Sequence, residues 1–397
     1  MLQNRIWTKD FILLIISLLL ISCANYFFAS SMAVYALTVN AAAYAGILTA
    51  AFYFGSVGMR LVNGMMVQKY GARRLMLISA AVCAAACFAH SSVAAISVLI
   101  VLRVLHGMGY SIFSTASNTA ASYIVPRSRL GEGMGYFTFG NVLALALGPS
   151  IALTVVAGNT VREFHELFYI AAAISAVALF MSMFVAKDKT TDRQADTISD
   201  ATAAELPKTF LGFEKGVILP SLICFLMTFA YSPMFVYLAE YGLVRHFGNM
   251  GAAFSLYAVG LFSARLFTGR LSDRHGPDCV MIPAYFCGMA ALCAAAFCTA
   301  RWHLLATMLI LGLCIGTYNP QINVFCITRC SKEHRGTATA AFNGAGDLGL
   351  ALGSAVNGLL ITSFGFRFTF LSGGVICFAT LIIYILSLSS FAGKKSA

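Results

Sequence analysis

Residues 55–71 read GSVGMRLVNGMMVQKYG, and residues 260–276 read GLFSARLFTGRLSDRHG. Gly55, Arg60, Leu61, Gly64 and Gly71 recur as Gly260, Arg265, Leu266, Gly269 and Gly276, a shift of 205 residues. The same shift carries Gly131 to Gly336, Phe137 to Phe342, Asn118 to Asn323 and Gly148 to Gly353. One offset held over separate stretches means a duplicated unit. In a strongly apolar chain, two fused halves predict a solute pathway between them.

The chain has 397 residues, 59% of them hydrophobic and 10% charged. Soluble domains carry about 25% charged residues, so the surplus apolar surface belongs in lipid. A spanning helix needs about 20 apolar residues. Twelve such stretches are legible, near 11–36, 44–66, 75–94, 97–122, 132–156, 166–186, 217–243, 250–271, 279–300, 303–328, 337–362 and 367–391. Backbone polar groups in lipid must pair within the segment, which makes these stretches helices. The alternation of a barrel strand is absent. The predicted fold is an all-α integral membrane protein of two pseudo-symmetric six-helix bundles, with 1–186 and 217–397 as bundles. The polar stretch 187–216 reads as a cytoplasmic linker with room for a short interfacial helix.

The formal charge of +11 does not signal nucleic acid, because it is segregated. Lys69, Arg73, Arg74, Arg127, Arg129, Lys187, Lys189, Arg270, Arg274, Arg329, Lys332, Arg335, Lys394 and Lys395 fall in alternate loops and the tail; the other loops hold Arg162, Arg245, Arg301 and Arg367. This bias predicts that both termini are cytoplasmic and the membrane is the cell's inner one. The first apolar stretch is too long for a cleaved leader and reads as an uncleaved helix. The cysteines lie mostly inside apolar spans without metal-ligand spacing, so no metal or cofactor is expected. GAGDLG at 344–349 follows no strand and is no dinucleotide loop; no Gly-x-x-x-x-Gly-Lys-Ser/Thr is present, so the expected driving force is a gradient rather than ATP.

Gly64, Gln68, Lys69, Gly71, Arg73 and Arg74, with Gly269, Asp273, Arg274 and Gly276 in the second copy, resemble the loop signature of the major facilitator superfamily. Gln68 stands where the family pattern has Asp. Arg103, Gly107 and Gly109 are similar to the family's Arg-x-x-x-Gly-x-Gly motif. Gly140, Gly148 and Pro149 resemble the fifth-helix motif of its drug:proton antiporter branch, without the Gly-Gly that often follows. The resemblance implies alternating access, a central cavity lined by the fourth and seventh helices, a monomer, and no enzymatic role.

Ionisable residues in spanning helices are functional candidates by default. Asp347 lies about 15 Å into the eleventh stretch at 1.5 Å per residue, with Asn343 on the same face. Glu240 lies in the outer part of the seventh, with Tyr237, and corresponds to Tyr35 in the first half. Arg103 heads a stripe with His106, Tyr110 and Ser114 at helical spacing. A buried Arg stays charged and is expected to meet an acid or an anionic substrate. These give Asp347, Glu240 and Arg103 as proton-coupling candidates. Tyr26, Tyr35, Tyr110, Tyr231, Tyr237, Asn118, Asn319, Asn323 and Asn343, with Arg103, His106 and Ser114, are expected to line a cavity for an amphipathic small molecule. Arg60, Arg265, Glu132 and the loop motif, Arg73 included, have two open readings, a gate or plain anchoring at helix ends. The expected activity is proton-coupled export of a drug or metabolite. Uptake or exchange of an organic anion is the alternative, because the membrane arginines suit an anion. A non-transporting receptor or enzyme would need a sensory domain or a nucleophile–base set, and neither is visible.

Overall fold

The architecture is that of a computed structural model describing residues 6–93, 95–126, 129–186, 209–210, 213–329 and 335–395. Its helices are α1 (Lys9–Thr38), α2 (Ala45–Tyr70), α3 (Ala72–His90), α4 (Ile96–Ile124), α5 (Leu130–Val155), α6 (Val161–Met183), α7 (Lys215–Val236), α8 (Leu238–Val244), α9 (Gly251–His275), α10 (Asp278–Ala296), α11 (Arg301–Thr328) and α12 (Arg335–Lys395). A 3-10 turn, Ala42–Tyr44, joins α1 to α2. Among the described residues, eleven helical segments are long and apolar enough to cross a membrane. The last of these runs over Ala338–Ser387 and is broken at Gly365 (φ 79, ψ 171). Two arms on either side of Gly365 therefore complete twelve crossings.

Local chemistry explains the element boundaries. The sixth helix was expected at 166–186 but occupies Val161–Met183. Its start is set by Thr160, whose hydroxyl accepts from Glu163 N at 3.4 Å while the Glu163 carboxylate accepts from Thr160 N at 3.3 Å. That reciprocal capping contributes on the order of 1 kcal/mol, and hydropathy alone does not register it. The stretches 44–66 and 250–271 run on as helix to Tyr70 and His275. Gly71 (φ 80, ψ 148) follows the first and Gly276 (φ 86, ψ 158) the second. Both lie in a backbone region open essentially to glycine alone. The motif glycines are therefore helix stops with one geometry in each copy.

The single seventh stretch expected at 217–243 is two pieces, α7 and α8, separated at Tyr237 (φ −112, ψ 6). Pro233 sits one turn before the break and has no N–H to donate to Phe229 O. Two side chains satisfy that carbonyl instead: Asn357 Nδ2 donates at 3.2 Å and Ser232 Oγ at 3.0 Å. Of the linker, 187–208 and 211–212 lie outside the described residues. The short helix allowed for in the linker falls on those residues; in the described part, Thr209–Phe210 pairs antiparallel with Phe213–Glu214.

The chain resolves into two compact units, Met1–Ser31 with Ala51–Lys208, and Met32–Ala50 with Thr209–Ala397. Residues 32–50, the end of α1, the turn and the start of α2, thus pack with the second unit although they belong to the first sequence half. Inside the first unit, a Cβ on Gly55 would collide with the Val104 backbone, and one on Gly107 with the Phe52 backbone. Inside the second, Gly260 meets Leu309 and Gly312 meets Tyr257 in the same way. All four contacts map onto one another by the offset of 205. The duplication is thereby visible as two equivalent helix crossings, α2 on α4 and α9 on α11, where small residues admit a close backbone approach.

The first unit's core gathers Phe11, Leu14, Leu18 and Ile21 of α1 with Met76, Cys83, Phe113 and Phe137. Gly140 and Gly148 of the expected fifth-helix motif face α1, where a Cβ would touch Ile15 or Tyr26. The glycines Gly349 and Gly353 seat α12 on Thr228 and Ser232 of α7, whereas Gly135 faces open space.

Candidate functional site

The second unit holds a cavity of about 80 Å³ beside the α7–α8 break. Tyr237, Glu240, Gly46, Gly358 and Thr362 are among its walls. Three elements build it. The break residue Tyr237 and, one turn on, Glu240 of α8 supply the first wall. The 3-10 turn and the start of α2 supply Ala42, Ala43, Gly46 and Ile47. The first arm of α12 supplies the facing wall. Tyr237 Oη donates to Ser354 O at 2.7 Å. The hydroxyl fits there because Gly46 and Gly358 have no side chain: a Cβ on either would strike it. Glu240 makes no hydrogen bond or ion pair among the described residues. It lies beyond the Gly216–Val236 span, and burial pushes its carboxyl up to about 7. Desolvation favours the neutral acid.

Asp347 sits elsewhere on the same arm of α12. It is partly exposed and lies beside Gly346, whose Cβ would reach Cys224 Sγ at 3.3 Å. Eleven residues separate it from Gly358, about 16 Å of helix. The two expected proton carriers are thus at different levels of one unit. Asn343, one turn from Asp347, is exposed.

In the first unit Arg103 and His106 are completely buried. Arg103 had been expected to face an acid or a substrate anion. The guanidinium lies 5.3 Å from the Phe28 ring centroid and 4.8 Å from that of Phe52, with Nη1 3.4 Å from His106 Nδ1. Each desolvated cation–π contact contributes about 2 kcal/mol, which offsets part of the several kcal/mol lost on burying the charge. His106 Nε2 lies 3.9 Å from Cys87 Sγ. The helical stripe is thus split: its first turn is sealed inside the unit, while Tyr110 and Ser114 are partly exposed and Asn118 is exposed.

The remaining expected residues fall into pairs and singles. Tyr26 Oη donates to Asn141 Oδ1 at 3.1 Å. Tyr318 Oη donates to Tyr231 Oη at 3.0 Å, both buried. Tyr35 is buried; Asn319 is partly exposed, and Asn323 keeps a buried Oδ1 that has no hydrogen-bond partner among the described residues. Arg73 donates to Met183 O, tying the start of α3 to the end of α6. Glu132 pairs with Arg129 at 2.7 Å on an exposed face. Gln68, Lys69, Gly64, Gly269, Arg265 and Arg274 are exposed, and Arg60 is partly so. The Asp273 side chain lies outside the described residues.

Several participants had no sequence signal. Phe28 and Phe52 are two of 32 phenylalanines, and nothing in their spacing marks them as cation partners. Ser354 acts through its backbone carbonyl. Asn357 acts on a carbonyl that only the proline of another helix leaves open. Pro233 was the available clue to that break.

Paired glycine crossings, a duplicated arrangement of apolar helices, and acids among them define a polytopic membrane protein. The profile of the Major Facilitator Superfamily matches residues 14–349 and again 249–396, and the chain belongs to that family. Multidrug resistance protein MdtG of Citrobacter koseri is 23% identical over 341 residues, 82% of this chain and 80% of the relative. Among solved structures, the nucleoside transporter NupG superposes with a TM-score of 0.75 at 16% identity, covering 95% of this chain and 99% of that one. The xylose transporter XylE from E. coli, in an inward open conformation, gives 0.76 at 15%, covering 95% and 96%. The protein is accordingly a multi-pass membrane transporter of a small molecule.

Proposed function

We infer that this transporter is a proton-coupled exporter of a small amphipathic drug or metabolite, working by alternating access in the cell's inner membrane as a monomer with both termini cytoplasmic. The observation that carries the reading is the placement of Asp347 and Glu240. Two acids occupy one unit, one within a spanning helix and one in an apolar cup, with no basic residue lining the cup. An acid so placed takes up a proton when its surroundings are dry and releases it when water enters. Similarity to proteins named for multidrug resistance supports the direction, and the segregated positive charge supports the orientation. Arg103, sealed in the other unit between the Phe28 and Phe52 rings, acts as a fixed charge that holds the fourth helix in its bundle. Uptake or exchange of a small organic anion is favoured by one feature, the unusual burial of that guanidinium.

Proton flux in proteoliposomes tests the reading. With an imposed pH gradient, a lipophilic drug panel should drive proton movement through the wild type. Asp347→Asn, Glu240→Gln and Arg103→Ala should each reduce it. Full coupled transport in all three variants rejects the site assignment. Flux that responds to organic anions alone selects the other reading.

A further inference from the structure

The cup around Glu240 has a chemistry of its own. Its polar side chains other than the carboxylate are already engaged. Tyr237 Oη donates to Ser354 O, and Thr362 Oγ1 donates to Leu359 O at 2.9 Å. No side-chain donor is left for an anion, a sugar or a phosphate. The rest of the lining is alanine, glycine, leucine and isoleucine. The titratable groups facing the carboxylate are easily enumerated. From α8 and its cap there is Tyr237; the 3-10 turn, the start of α2 and the α12 arm contribute none to the lining. The nearest arginine in sequence, Arg245, is committed to Cys298 O. What remains is one unpaired acceptor of negative charge, backed by apolar walls and partly enclosed.

We propose that this cup binds the headgroup of a small organic cation, an alkylammonium, with Glu240 as its counter-ion and the Ala42–Ile47 and Gly358–Thr362 walls around its alkyl carbons. The volume, about 80 Å³, holds a group of a few heavy atoms, since one water takes about 30 Å³ in the liquid. A carboxylate with apolar walls retains an ammonium better than a fully hydrated inorganic ion, because the alkyl part gains from leaving water while the charge keeps its partner. A proton competes for the same oxygens. The headgroup can come from a free amine or from an aminophospholipid; the chemistry is shared. The site stands on geometry alone and holds whether or not protons drive transport.

The test uses the purified full-length chain in detergent, with n-propylammonium as probe and calorimetric binding and thermal unfolding as readouts. At pH 8 the probe should bind and raise the unfolding midpoint. At pH 5.5 its affinity should fall at least tenfold. Glu240→Gln should weaken it at least tenfold. Ala42→Leu, which fills the cup and leaves the carboxylate in place, should do the same, so a misfolded Gln variant does not end the test. Glu166→Gln, at an exposed acid of the other unit that pairs with Arg162, should bind as the wild type. In nanodiscs, phosphatidylethanolamine that lowers probe affinity relative to phosphatidylglycerol assigns the natural occupant to lipid; equal affinity in both assigns it to a free amine. Sodium acting like propylammonium, n-butanol binding equally well, or undiminished binding in both cup variants overturns the proposal. Lost proton flux with intact amine binding rejects the transport reading and leaves this one standing.

Discussion

The Tyr237 hydroxyl donates to the Ser354 carbonyl at 2.7 Å, through a gap held open by two glycines, Gly46 and Gly358. The bond ties the α7–α8 break to α12, and the glycines pack the α1–α2 turn against both. Tyr237→Phe should cost about 1 kcal/mol of stability, the net worth of one buried hydrogen bond. Gly358→Ala should cost about 1–3 kcal/mol by overpacking. The double variant should recover part of the Gly358→Ala loss, because the hydroxyl that the methyl strikes is gone. Denaturant or thermal unfolding of the four proteins in one detergent measures that coupling.

Glu240 makes stability depend on pH. Its carboxyl titrates at about 7 in the fold, above its ordinary value. The folded state therefore holds the proton more tightly than the unfolded chain. The resulting stabilisation is complete below the unfolded value and is lost as pH rises through 7. Between pH 5 and pH 8 the unfolding midpoint of the wild type should fall. Glu240→Gln should flatten that slope and be the more stable protein at pH 8. A parallel slope in both would assign the dependence to other groups.

Gly71→Ala and Gly276→Ala should each destabilise by about 1–3 kcal/mol, the cost of forcing a side chain into this backbone region. Asparagine should not rescue either site. It tolerates the left-handed helical well, whereas ψ here is 148 and 158. Equal losses at the two positions, read from unfolding midpoints, would reflect their equivalent geometry.

Arg103→Lys should behave as a loss of function and not as a conservative change. The guanidinium contacts two ring faces and His106 Nδ1, and a compact ammonium cannot reproduce planar stacking on both rings. Arg103→Met, neutral and similar in length, should fold at least as well as Arg103→Lys, because it buries no charge. Midpoints of unfolding rank the variants, and substrate flux reports their activity.

The membrane class, the helix spans, the duplication and the superfamily were all legible in the chain. Each is a one-dimensional property: apolar length is set by bilayer thickness, and a fixed offset of glycines and arginines records a repeated backbone. Gly71 and Gly276 could be read because a stop that needs positive φ together with extended ψ is spelled with glycine. Tertiary structure alone decided the sites. It gave Arg103 the Phe28 and Phe52 rings, brought Asn357 to the carbonyl left open by Pro233, and set Glu240 in a cup whose walls come from residues 42–47 and 355–362. Those partners are distant in sequence, and their worth lies in desolvation and close approach. Neither quantity exists until helices pack, so identical residue types elsewhere in the chain carry no such meaning.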